Sequence, residues 1–322
     1  MKILILAASG LTLCAAAMHA HPQSAWQPTR PVQLIVPNPP GGGPDFIARL
    51  MAPRLSEVIK QNVLVDNRSS NNGIVGAEAA SRGAADGTSM IIGNSGTHAI
   101  NATLYRKLPY DPLRDFVAVS EIASPALVLV THPSVPARNL KELIALARKS
   151  PGKLNVAVAG ATGEIAGNAI MLQTGINMKN IPYKGGAPAT IAILSGESDM
   201  TFTNYVAVAR HIEAGKLRIL GISSGKRSAQ LPNVPTIAEG GLEGYAVEMW
   251  YGLFMPAKAP PAMAQAVYRE TSRVFALPEV REKLEATGHT VVSSSPEVFS
   301  EKVRLEVEKF RKIIIGSKMQ LD

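Results

Sequence analysis

Apolar residues recur along this chain with two alternating periods. Val32-Gln33-Leu34-Ile35-Val36 is a short, nearly continuous apolar run of strand length. Phe46, Ile47, Leu50, Met51, Leu55, Val58 and Ile59 then repeat at helical spacing. The same exchange continues downstream. Strands are predicted at 62–66, 88–94, 154–159, 199–203 and 217–222, and helices at 73–82, 162–174, 188–195 and 205–214. Asn139-Leu140-Lys141-Glu142 has the form of a capping box and opens a further amphipathic helix, which Pro151-Gly152 closes. Three helical segments, 261–276, 278–286 and 296–315, end the chain. Alternation of this kind predicts βαβ units, hence an α/β fold of mostly parallel sheets flanked by helices. One residue conflicts with the pattern. Pro53 falls inside the first helix, where it should cost about 3 kcal/mol in a regular interior, so a kink near Arg49–Pro53, or a restart there, is expected.

The handover from the first strand to the first helix is Pro39-Pro40-Gly41-Gly42-Gly43-Pro44-Asp45. Glycine lets backbone N–H groups approach a ligand with no Cβ in the way. Pro44 suits the first helical position and Asp45 the first turn. A helix start carries unpaired N–H donors and partial positive charge, so it favours an anion. The loop is equally well explained as a tight βα turn with no ligand.

The N-terminus bears on where the protein works. Lys2 is followed by an apolar stretch to about Ala17, small residues and Pro22, the pattern of a secretory signal peptide spanning 1–25, with Ala20 and Ala25 both acceptable as its last residue. The apolar core is too short for a comfortable membrane span. Leu13, bulky beside Cys14, argues for soluble export over a lipid anchor. Loss of the segment removes the single cysteine and takes the net charge from +8 to +7. Export without disulfides fits a bacterial periplasmic protein stabilised by its core. The roughly 300 remaining residues are enough for two α/β domains. Aromatic residues are only 5% of the chain and the basic residues are scattered, so no stripe suited to nucleic acid is present.

Two apolar segments, 126–130 and 250–255, each precede a proline-bearing loop and a new helical run. Read as crossover strands, they divide the chain into a first lobe of 26–128 plus 248–322 and a second lobe of 129–247. A ligand would lie between the lobes, where strand ends and helix starts face the cleft.

Ordered motifs then carry a family resemblance. Val36-Pro37-Asn38-Pro39-Pro40-Gly41-Gly42-Gly43-Pro44-Asp45 with Ala48-Arg49 resembles the opening motif of the Bug proteins, periplasmic solute receptors of tripartite tricarboxylate transporters. Leu108-Pro109-Tyr110-Asp111-Pro112 and Ile181-Pro182-Tyr183-Lys184-Gly185-Gly186-Ala187-Pro188-Ala189 match further signatures. So do Leu231-Pro232-Asn233-Val234-Pro235 and Trp250-Tyr251-Gly252-Leu253-Phe254. The series covers essentially the whole chain after the signal. The resemblance implies a two-lobed, type II periplasmic-binding-protein-like fold that closes on a small carboxylate. Its ligand would be a dicarboxylate, tricarboxylate, aromatic acid or amino acid, and it would act as a monomer that serves membrane permease subunits. It implies two loops that pinch the carboxylate: Pro40, Gly41, Gly42 and Gly43, and Gly160, Ala161, Thr162 and Gly163. The second turn independently offers N–H donors, a hydroxyl and a helix start, although Thr162 serves equally as a helix cap.

Other candidates follow strands. Ser95, Thr97 and His98 resemble a family loop that lines the cleft, and simple turn chemistry accounts for them nearly as well. Tyr183, Gly185 and Gly186 precede a helix, and Phe202 and Asn204 end a strand; the bland roles are a turn and core packing. Asp45 could attract an ammonium group, or could simply complement the helix start. The family often carries an aromatic residue where this chain has Asn38, which alters the pocket wall. An enzyme reading rests on Gly221-Ile222-Ser223-Ser224-Gly225, a G-x-S-x-G pattern with Glu239 and His289 after it. That motif needs a helix after the turn, and 226–235 is polar and proline-bearing. The histidines lack metal-ligand spacing, and no dinucleotide or Walker fingerprint is present, so neither cofactor nor metal is expected.

Overall fold

The computed structural model describes residues 26–319; the expected signal segment and Cys14 lie outside them. The chain opens with β1 (Val32–Val36), α1 (Gly43–Ile59), β2 (Val63–Asn67), α2 (Ile74–Ser81), β3 (Ser89–Asn94), α3 (Asn101–Leu104) and β4 (Phe116–Pro125). It continues through β5 (Leu127–Thr131), α4 (Leu140–Lys149), β6 (Asn155–Val158), α5 (Ala161–Thr174), β7 (Lys179–Pro182), α6 (Gly186–Leu194), β8 (Met200–Asn204), α7 (Tyr205–Glu213) and β9 (Arg218–Ile222). It ends with β10 (Tyr251–Pro256), α8 (Pro261–Ala276), α9 (Pro278–Ala286), β11 (His289–Val291) and α10 (Pro296–Gly316).

These elements form two sheets, ordered β11-β4-β10-β3-β1-β2 and β7-β6-β8-β5-β9, in a two-lobed α/β fold. Within each lies one βαβαβ unit of parallel strands: β2-β1-β3 in the first and β7-β6-β8 in the second. Each unit is then extended by antiparallel strands. β10 and β4 follow β3, and β5 and β9 follow β8. The sheets are therefore mixed rather than mostly parallel. The reason is topological: the crossover strands β5 and β10 enter their sheets from the other lobe and pair without an intervening crossover helix.

The sequence pattern is visible in the packing. All of β1 except Gln33 is buried, as expected of a strand covered on both faces. α1 turns Ile47, Ala48, Met51, Leu55 and Ile59 onto the sheet. Asn139 caps α4 by accepting from the Glu142 N–H at 2.9 Å, and its own amide donates to Glu142 Oε1. α1 does not restart at Pro53 but runs unbroken from Gly43 to Ile59. Pro53 and Arg49 are both exposed, so the Arg49 carbonyl that loses its helical partner lies on the solvent face, where water can serve it.

α10 closes the first sheet, burying Phe299, Val303, Phe310 and Ile314. Its Lys302 reaches Glu121 on β4 at 2.7 Å and Glu248, just before β10, at 3.0 Å. This pairing explains how β4 carries a buried glutamate. No helix among the described residues is long and apolar enough to cross a membrane.

Candidate functional site

In each βαβαβ unit the strand order reverses beside the first strand, β1 or β6, so loops leaving neighbouring strands diverge and open a crevice. The two crevices face each other across a cavity of about 530 Å³. The first lobe contributes Asn38, Pro39, Gly42, Gly43, Pro44, Asn72, Asn94, Ser95 and Gly96. The second contributes Ala161, Thr162, Gly185, Gly186 and Asn204, and Met249 and Tyr251 close the cavity where the chain returns between sheets. A smaller space of about 220 Å³ adjoins it, lined by residues 159–163, Phe202 and Asn204. Ser95 and Thr162 hydroxyls meet across the cleft at 3.5 Å.

Three helices begin at this cavity. α1 starts beside Gly42, α5 beside Gly160 and α6 beside Gly185. The first N–H groups of a helix have no partner within it, and three such starts sum their partial positive charge in one place. None of the residues that line the cavity carries a charged side chain. The arrangement therefore suits a small anion held by N–H groups, hydroxyls and amides instead of a paired cation.

The first wall is built tightly. Asp45 is buried and accepts from the Gly41 N–H at 2.8 Å, from Arg49 Nε at 3.0 Å and from Asn67 Nδ2 at 2.9 Å. Burial acts to raise its pKa, but hydrogen bonds from Arg49, Gly41 and Asn67 outweigh it and hold the carboxyl below its ordinary range. The Gly42 N–H donates to the Pro39 carbonyl at 3.3 Å. At Gly43 a Cβ would lie 2.5 Å from the Tyr251 hydroxyl, so only glycine lets helix and ring approach this closely. Tyr251 is buried, which pushes its phenol up to about 12 and keeps it neutral.

The second wall is looser. Gly160 is exposed, and a Cβ at Gly160, Gly185 or Gly186 would meet nothing within 4 Å. Gly185 has φ of 103°, which other residues rarely adopt, and this turns the chain into α6. Glu164, in the first turn of α5, has a pKa raised by burial, which its bond from Asn180 only partly offsets.

The expected site residues therefore separate into two groups. Gly42, Gly43, Ser95, Ala161, Thr162, Gly185, Gly186 and Asn204 line the main cavity, and Gly160, Gly163 and Phe202 line the smaller one. Pro40, Gly41, Asp45, Thr97, His98 and Tyr183 line neither. Gly41 and Asp45 bond to each other, and Pro40 is exposed. After β3 the chain coils into a wide helical turn, Gly96–Ile100, which leaves Ser95 and Gly96 at the cavity and rotates Thr97 and His98 inward. His98 is fully buried, stacked on Phe254 with ring centroids 3.9 Å apart, and burial lowers its pKa to about 3, so it is neutral. Tyr183 donates to Glu197 at 2.9 Å. Asn72 and Met249 escape a motif search, and Tyr251 stands in the Trp250–Phe254 signature with no sign of a site role, because all three reach the cavity only through the tertiary fold.

The G-x-S-x-G segment shows a different use. Ser223 is buried and its hydroxyl donates to the Val247 carbonyl at 2.6 Å, and no helix follows it. Glu239 pairs with Arg227 at 2.9 Å. A separate cavity of about 380 Å³ lies at the hinge, lined in part by Glu121, Ser223, Glu248 and Lys302. Among the described residues, no group of three His, Cys, Asp or Glu could hold a metal ion.

Comparison with known proteins places the chain in a family. A model of the tripartite tricarboxylate transporter family receptor matches residues 47–319. Protein BugT of Bordetella pertussis is 32% identical over 98% of this chain and 98% of its own length. Among solved structures, R. palustris Rpa4515 with adipate is 33% identical, with a TM-score of 0.78 over 90% of this chain and 98% of that one. MatC from Rhodopseudomonas palustris with bound malate is 27% identical, with a TM-score of 0.76 over 89% of this chain and 99% of that one.

Proposed function

Because the chain belongs to the tripartite tricarboxylate transporter receptor family, we propose that it is an exported solute receptor that captures a small organic carboxylate between its lobes. The observation that carries this reading is the meeting of three helix starts at a cavity lined by no charged side chain. Similarity to structures with adipate and malate supports a carboxylate of that size.

In this reading Gly42 and Gly43 form one pincer, and Ala161 and Thr162 the other, with Ser95, Gly186 and Asn204 completing the contacts. Helix starts take the carboxylate oxygens, and Ser95 and Thr162 donate across the cleft. Contacts made only when both lobes engage drive closure. The closed form then goes, as a monomer, to membrane permease subunits. The protein acts without catalysis, metal or cofactor, and residues 1–25 direct it to the periplasm. In this reading the lobes exchange near Ala126, between β4 and β5, and near Glu248, before β10, which keeps β5 whole where the expected division at 128/129 would cut it.

The test is a thermal-shift screen of protein refolded from denaturant, which strips retained ligand, against dicarboxylates, tricarboxylates, aromatic acids and amino acids. A ligand that binds only the folded state stabilises it by about 2.7 kcal/mol at a hundredfold excess over its Kd. A saturable, selective rise in Tm is expected. No rise with any acid contradicts the reading.

A further inference from the structure

The hydrogen-bond chain along the first wall has a fixed polarity. The Thr97 backbone N–H donates to Asn94 at 3.0 Å, and a backbone N–H can only donate, so the Asn94 atom it meets is the carbonyl oxygen Oδ1. Asn94 Nδ2 is then the atom that reaches Asn38, at 3.1 Å, so the Asn38 atom it meets is Oδ1. That leaves Asn38 Nδ2, which makes no hydrogen bond with any described residue. Asn38 and Asn94 both line the cavity. The main chain of Asn38 is held separately, its carbonyl accepting from Asn67 Nδ2 at 3.2 Å.

We infer that Asn38 is a specificity-determining residue that presents its amide N–H2, a donor with no acceptor capacity, to the second polar end of the ligand. The inference rests on the receptor reading above, in which helix starts take the first carboxylate. The backbone at Thr97 sets the direction and Asn94 transmits it, acting as a positioning residue. The chemistry selected is an oxygen acceptor, the carboxylate or amide carbonyl at the far end of an unbranched acid. An ammonium at that end meets a donor and is rejected, and an alkyl end leaves the amide unpaired.

The experiment uses refolded wild-type protein and calorimetric titration with unbranched dicarboxylates of four to six carbons. Their monoamides, and the ω-amino acids and monocarboxylates of the same lengths, complete the set. Wild type should bind an acceptor-ended acid at least about tenfold tighter than the amino acid of that length. Asn38→Asp keeps an acceptor for Asn94 Nδ2 and turns the presented atom into an acceptor. It should weaken the dicarboxylate by roughly ten- to a hundredfold and strengthen the amino acid relative to it. Asn38→Leu, branched at the same carbon but without the amide, should bring acceptor-ended acids down to the monocarboxylate. Circular dichroism should be unchanged in both variants. If wild type binds none of the set, this assignment falls, and the receptor reading falls with it only when the thermal-shift screen also finds no acid that binds. If wild type binds and Asn38→Asp leaves the ranking as it was, this assignment alone is overturned.

Discussion

In the first lobe the chain leaves β1 through a loop that is bonded to itself at nearly every step. Asp45 ties Gly41, Arg49 and Asn67 together, and Asn94 ties Thr97 to Asn38. In the second lobe it leaves β6 through Gly160 and β7 through Gly185, where a side chain would meet nothing within 4 Å. The two lobes repeat one strand order, β2-β1-β3-β10-β4 and β7-β6-β8-β5-β9, so topology does not cause the difference. The residues after each strand do. One wall is preorganised to give a fixed set of donors, and the other has room to settle on whatever it receives.

The comparison can be broken most forcefully by filling each wall in turn. Gly42→Leu and Gly186→Leu both have space at the Cβ, the nearest atoms being Pro39 O at 3.4 Å for Gly42 and none within 4 Å for Gly186. Each should weaken binding of a ligand found in the screen by about a hundredfold, or ~2.7 kcal/mol, with Tm of the free protein nearly unchanged. Titration calorimetry checks this, and a loss in only one variant would mean that one wall does not touch the ligand.

Removing the brace comes next. Asp45→Ala leaves the Gly41 N–H without its acceptor and the Asn67 amide with the Asn38 carbonyl alone, and should cost about 2 kcal/mol in urea unfolding at neutral pH. The sign with pH follows from its lowered pKa. The carboxylate's contribution is full above its unfolded pKa and is lost as pH falls through the lower folded value. Wild type and variant should therefore converge in strong acid.

Gly43→Ala drives a methyl into the Tyr251 hydroxyl and should cost about 1.5 kcal/mol by overpacking; thermal unfolding measures it. The smallest effect belongs to the looser wall. Glu164, the first-turn acid of α5, has its pKa raised by burial, so its ionised form is disfavoured in the fold. Its penalty appears as pH rises through the unfolded and then the folded pKa. Glu164→Gln should stabilise the protein at neutral pH by less than about 1 kcal/mol, a gain that disappears in acid. Destabilisation at neutral pH would show that Glu164 acts as a brace like Asp45.

Much of this was legible in the residues. The apolar run before Gly41 and the helical period after Pro44 mark β1 and α1 because one local pattern changes into another. The Asn139 cap and the final three helices are equally local. β4 was not legible: Ser120, Glu121 and Ser124 interrupt its pattern, and the partner that lets Glu121 be buried, Lys302, stands 181 residues away. Side-chain direction after β3 was equally hidden. Ser95, Thr97 and His98 read alike as a polar loop, and the turn at Gly96–Ile100 decides which of them faces the cavity. Asn38 was visible as a polar residue in the opening motif. Its donor polarity depends on Asn94, which lies 56 residues away.

The central claim is that one small anion is held at helix starts from both lobes at once. The most direct test is a nuclear magnetic resonance titration of isotope-labelled protein with an acid that binds in the screen, following backbone amides. The account predicts that Gly43 and Asp45 in the first lobe, and Ala161, Thr162 and Gly186 in the second, shift together to a common saturation point. Shifts confined to one lobe, or centred on the hinge cavity lined by Glu121, Ser223 and Lys302, would contradict it.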